Sequence, residues 1–171
     1  MYRKILVALE NSRADETLLA HVTGLARQLG SELLLVHVAD GWAARNFNHL
    51  TLAESEEMKA DRAYLELHLN QLHAQGIRAR SRLALGNPPQ ELLRAAESEK
   101  CDLIAMASHG HRWLGDLFLG STIHEVRHAT SIPILLVRAG HTPHCDPGPC
   151  PLSEPGSEPP APPSPLVGPG G

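Results

Sequence analysis

The residues best suited to chemistry in this chain fall in one glycine- and histidine-rich stretch, Ala107-Ser108-His109-Gly110-His111-Arg112-Trp113-Leu114-Gly115-Asp116-Leu117-Phe118-Leu119-Gly120-Ser121-Thr122. Gly110 and Gly120 permit close backbone approach or a positive φ. Gly120-Ser121-Thr122 reads as the entry to a helix beginning at Ser121, where free N–H groups and two hydroxyls could hold phosphate oxygens. The same residues also fit a glycine turn followed by an ordinary Ser/Thr cap, and spacing alone does not choose between them. His109, His111 and Arg112 are candidates for the phosphate side, the histidines only when protonated.

Other reactive residue types are less well placed. His124 and His128 are four apart on a predicted helix, with no third metal ligand nearby, and read as surface residues. Cys101 lacks a neighbouring base that would activate a thiol. In the last stretch, His141, His144, Cys145 and Cys150 carry metal-ligand chemistry, but their spacing matches no established zinc pattern and intervening prolines restrict folding around an ion. No metal site is expected. There is no G-x-G-x-x-G after the first apolar run, no Walker lysine and no base–nucleophile pair, so turnover is not expected.

The elements that must position these residues follow from the hydrophobic pattern. Ile5-Leu6-Val7-Ala8-Leu9, Leu33-Leu34-Leu35-Val36-His37-Val38, Leu103-Ile104-Ala105-Met106-Ala107 and Ile134-Leu135-Leu136-Val137 are short continuous apolar runs, as expected of strands covered on both faces. Residues 77–85 alternate Ile77, Ala79, Ser81, Leu83 and Leu85 against Arg78, Arg80, Arg82 and Ala84, which reads as an edge or half-exposed strand. Between the runs, Leu18, Leu19, Val22, Leu25, Ala26 and Leu29 recur at helical spacing, opened by Asn11 or Ser12 as cap and closed by Gly30. Leu65, Leu69 and Leu72 mark a second helix over 52–75. Pro88 opens a third, whose buried face is Leu92, Leu93, Ala95 and Ala96. The order β-α-β-α-β-α-β-α-β implies a parallel sheet with helices on both faces. Ligands then sit beyond the carboxyl ends of strands where the connections reverse, which gives weight to the loops after the first and fourth runs.

Composition divides the 171 residues in two. Residues 1–140 form the domain and hold all 15 Lys and Arg with 16 of the 19 acids, a near-neutral balance that argues against a nucleic-acid face. Residues 141–171 hold 11 of the 14 prolines and 5 of the 14 glycines, too little apolar side chain to offset ordering, and read as a disordered tail. No apolar run reaches membrane-spanning length, the short basic-apolar start reads as a strand rather than a leader, and one body cysteine suits a reducing cytoplasm.

Four segments together resemble the universal stress protein family, in its UspA-like group, over about residues 2–138. They are Arg3-Lys4-Ile5-Leu6-Val7-Ala8, Leu35-Val36-His37-Val38, Gly86-Asn87-Pro88, and the long loop ending Gly120-Ser121; the closing Pro133-Ile134-Leu135-Leu136-Val137 also fits. Nucleotide-binding members carry G-x2-G-x9-G-[ST]; here Gly110 and Gly120-Ser121 keep the second and third elements, and Ala107 replaces the first glycine. Glu10 stands where relatives usually hold Asp.

The resemblance implies a single doubly wound five-stranded parallel sheet in the order 3-2-1-4-5, of the adenine nucleotide alpha hydrolase-like type. It implies ATP or a related adenine nucleotide, with Mg as an accompanying ion, bound by Ala8, Glu10, Val38, Ala107, Gly110, Gly120, Ser121 and Thr122. In that arrangement the Val38 backbone meets the adenine edge, Glu10 lies near base and ribose, and the group from Ala107 to Thr122 lines ribose and phosphates. It further implies a homodimer through the last strand, Ile134 to Val137, in a cytoplasmic stress-response protein. The alternative is a member that binds no nucleotide and acts through an unidentified protein partner, and slow ATP hydrolysis would lack an identifiable base.

Overall fold

The computed structural model describes residues 1–39, 56–108 and 117–138. Along them run β1 (Lys4–Leu9), α1 (Ala14–Leu29), β2 (Glu32–Ala39), α2 (Glu56–Ala74), β3 (Ala79–Leu85), α3 (Pro88–Ser98), β4 (Leu103–Ser108), α4 (Leu117–Ala129) and β5 (Ile134–Arg138). All pairings are parallel and the strand order is β3-β2-β1-β4-β5, as expected.

Strand parity builds two cores. Ile5, Val7 and Leu9 of β1, Leu33 and Leu35 of β2, and Leu103, Ala105 and Ala107 of β4 face α1 and α2. Leu6, Ala8, Leu34, Val36, Ile104 and Met106 face α3 and α4. Because neither face meets water, the three central strands need apolar residues at both parities, hence their continuous runs. The β3 edge differs: Arg80 is exposed and paired with Glu32 at 2.6 Å. At the opposite edge, β5 leaves Leu136 46% exposed.

Most punctuation works as read. Gly30 closes α1 in the left-handed conformation at φ 67°, returning its N–H to Ala26, and Asn87 caps α3 ahead of Pro88 by accepting from Gln90 N–H. Two expectations are corrected. Neither Asn11 nor Ser12 occupies the cap position of α1, which falls to Arg13 without a side-chain bond. Instead Ser12 Oγ accepts from Ala14 N–H at 3.2 Å, and the Asp15 carboxylate turns back onto the preceding loop. Secondly, α4 starts at Leu117 rather than Ser121, so Gly120 and Ser121 lie inside its first turns. Leu117, Phe118 and Leu119 extend the helix backwards, because one interior glycine costs only about 1 kcal/mol against alanine.

The two-sided core predicts unequal penalties for equal truncations. Leu35 is wholly buried and Leu67, on α2, is 56% exposed. By urea denaturation, Leu35→Ala loses about 2–5 kcal/mol and Leu67→Ala less than about 1 kcal/mol.

Candidate functional site

A cavity of about 440 Å³ opens at the carboxyl ends of β1, β2 and β4. It lies where the sheet order reverses direction, since β1 connects outward to β2 and β4 lies on its other side. Its volume is within the usual range for small-molecule sites, roughly 300–1,000 Å³.

The described lining has two halves. Ala8, Val38, Met106, Pro88 and Leu92 supply an apolar half. Their chemistry follows from parity, since Ala8 and Met106 are even-numbered residues of the core beneath α3 and α4. Glu10, Asn11, His37, Glu57, Asp61 and Thr122 supply a polar half, drawn from the loop after β1, the end of β2, the start of α2, and α4.

Several polar groups are locked to each other. His37 is 9% exposed; its Nδ1 donates to the Leu9 carbonyl at 2.9 Å, and its Nε2 faces Asp61 Oδ1 at 3.4 Å. Asn11, at φ 58°, donates from Nδ2 to the same Asp61 oxygen at 3.4 Å. A left-handed conformation is tolerable for asparagine and turns the chain sharply after Glu10. Behind this wall, the Tyr64 hydroxyl donates to Asp15 Oδ2 at 2.6 Å. Burial first, then that bond and the Asp15 charge, push the Tyr64 phenol well above its ordinary value, so it remains a donor. Among the described residues no buried side-chain N or O lacks a hydrogen-bond partner.

The structure brings Ala8, Glu10, Val38 and Thr122 together around one cavity. Ala107 is placed elsewhere: it is 1% exposed in the core beneath α1 and α2, on the face opposite Ala8 and Met106. It pairs with Val137 in β4 without a positive φ, so the methyl that replaces a glycine is strand packing. Gly120 and Ser121 sit in the turn that leads to Thr122, which places Thr122 in the second turn of α4. His109, Gly110, His111 and Arg112 lie outside the described residues, as do His141, His144, Cys145 and Cys150.

Sequence reasoning passed over His37, Asp61, Asp15 and Tyr64. The available signals were a histidine inside an otherwise apolar strand and an Asp–Tyr pair three apart beside the buried Leu65. Among the described residues, no group of three His, Cys, Asp or Glu is arranged to hold a metal ion. No described helix is long and apolar enough to cross a membrane. Cys101 lies at the far end of β4 and is 6% exposed.

Comparison with known proteins agrees with this architecture. The model of the universal stress protein family matches residues 1–138, and the chain belongs to that family. A universal stress protein of Methanocaldococcus jannaschii is 28% identical over 158 residues, spanning 81% of this chain and 96% of the relative. Its solved structure superposes with a TM-score of 0.68. A universal stress protein from Archaeoglobus fulgidus, solved in complex with dAMP, gives a TM-score of 0.59 at 18% identity, covering 79% of this chain and 97% of that one. A further universal stress protein, solved in complex with cAMP, gives a TM-score of 0.59 at 17% identity, covering 81% of this chain and 98% of that one. At those identities the last two show the fold.

The placement of Cys101 has a chemical consequence. Burial, opposed by Lys4 and reinforced by Glu99, pushes its thiol up to about 11. At pH 8 the folded protein therefore holds almost no thiolate there. Iodoacetamide labelling followed by peptide mapping, which separates Cys101 from Cys145 and Cys150, should show Cys101 modified only after unfolding.

Proposed function

We propose that this universal stress protein binds an adenine nucleotide, ATP or a close relative, and acts as a regulatory homodimer rather than as an enzyme. The observation that carries the reading is the cavity itself. An apolar slot of Ala8, Val38, Met106, Pro88 and Leu92 suits a flat base, and its edge reaches Thr122 near the start of a helix. The positive end of that helix dipole would favour phosphate oxygens. Burial of Ala107 in the opposite core removes one objection, because its methyl does not occupy the slot. The dAMP and cAMP complexes of other family members support an adenine ligand. Mg²⁺ enters this reading carried on the phosphates, since it is commonly held by one or two carboxylates plus phosphate oxygens.

The dimer reading rests on the contrast between the two sheet edges. β3 presents arginines, whereas Ile134, Leu135 and Val137 of β5 are only half-buried and Leu136 is exposed. Strand pairing with a second chain would satisfy the free backbone groups and cover these side chains.

One observation favours the other reading, a protein that works through protein contacts without nucleotide. Glu10, Glu57 and Asp61 put three carboxylates on the cavity, and its described lining contains no Lys or Arg. Calorimetric titration with ATP decides between them. Saturable binding, weakened about tenfold or more by Gly120→Val in a protein whose circular dichroism is unchanged, supports the nucleotide reading. No heat at millimolar ATP with the fold intact rejects it in favour of protein contacts. Separately, light scattering should give twice the 18.5 kDa chain mass, and Leu136→Lys should return the mass to one chain.

A further inference from the structure

We infer that Asp15 and Tyr64 are positioning residues for the cavity, a clamp by which α2 sets the loop after β1. The ligand arm of this inference rests on the adenine-nucleotide reading; the loop-setting arm stands on geometry alone.

The loop between β1 and α1 carries two cavity residues, Glu10 and Asn11. Nothing in its length fixes its path, since it contains no proline and no glycine. The Asp15 carboxylate does so from within α1. It is 1% exposed and accepts from Glu10 N–H at 3.2 and 3.1 Å, one distance to each oxygen, and from Ser12 N–H at 3.0 Å. The fourth contact comes from α2, where Tyr64 O–H donates at 2.6 Å. A buried carboxylate is tolerable only when such donors surround it, and here the amino end of α1 adds a favourable dipole.

Helix α2 grips the same loop a second time. Asp61, three residues before Tyr64 and therefore on the same helix face, accepts from Asn11 Nδ2. Through Asp61 the grip extends to His37, whose other nitrogen is fixed on the Leu9 carbonyl. One face of α2 thus holds both Asn11 directly and Glu10 by way of Asp15. A pair serving packing alone would be replaceable by apolar side chains of similar volume, whereas this one holds the backbone N–H of a cavity residue.

The test uses the full chain with Asp15→Asn, Tyr64→Phe and a control, Leu72→Ala, which truncates a buried α2 residue away from the cavity. On the ligand-free protein, amide exchange by NMR should accelerate at Glu10 and Ser12 by about tenfold in Asp15→Asn, relative to Leu6 and Val7 in the centre of β1. By calorimetry, ATP should bind about ten- to a hundredfold more weakly to Asp15→Asn and severalfold more weakly to Tyr64→Phe. Leu72→Ala should lower the melting temperature while leaving Kd within about twofold. If Asp15→Asn does not fold, Tyr64→Phe carries both measurements. Unchanged exchange at Glu10 and Ser12, or equal loss of ATP affinity in Leu72→Ala, overturns the clamp. Should the unmodified protein bind no ATP, the nucleotide reading fails on its own, and the exchange measurement still decides whether Asp15 and Tyr64 set the loop.

Discussion

The structure depends on one requirement: a parallel sheet must be covered on both faces. Every connection between its strands is a crossover, and helices carried by those crossovers bury the two sides separately. Residues Ile5, Leu6 and Val7 of β1 are wholly buried as a result, three in succession with alternating directions. The chain first builds outward from β1 through β2 to β3 and then returns to place β4 on the other flank. Helices leaving on opposite faces at that return leave space beyond the strand ends, and the cavity occupies it. Its apolar half is the exposed rim of the core beneath α3 and α4, and its polar half comes from the loop after β1, the end of β2, the start of α2, and Thr122 of α4.

Much of this was legible in the residues. Continuous apolar runs marked the central strands, the arginine alternation over 77–85 marked β3 as an edge or half-exposed strand, and Gly30 and Asn87-Pro88 stopped and started helices as their backbone preferences dictate. Of the site, Ala8, Val38, Glu10 and Thr122 could be named in advance, since each lies at or near the end of an element that topology brings to the reversal. The direction of Ala107 was also available from counting parity along β4, where Leu103, Ala105 and Ala107 must share a face. The start of α4 was misread because Gly120 looked like a break, whereas the three apolar residues before it favour continued helix. Asp15 and Tyr64 escaped for a different reason. An acid in the first turn of a helix is ordinarily a solvated partner of the helix dipole, and only the packing of α2, 49 residues later in sequence, buries it.

The two halves of the cavity make unequal demands on a ligand. The apolar slot asks for a flat, weakly hydrated group and rewards its burial. The carboxylates opposite reward hydrogen-bond donors and oppose anions. Under the proposed reading, an adenine nucleotide would meet both demands with its base and phosphates at separate ends. The departures from the family's common pattern are thus different in kind: the methyl of Ala107 is absorbed by the core, and Glu10 stays at the mouth as an acid with a longer reach.

Finally, the guanidinium of Arg80, tied to Glu32 at the β3 border, bears on how far copies of this chain can join. Long side chains along this flank, with Arg80 held between Glu32 and Glu99, give an incoming strand poor backbone access. In the proposed dimer, two chains would meet about a twofold axis through β5, and the β3 borders then facing outward would offer no site for a third. Such a dimer would terminate itself, with no filament available by continued strand addition.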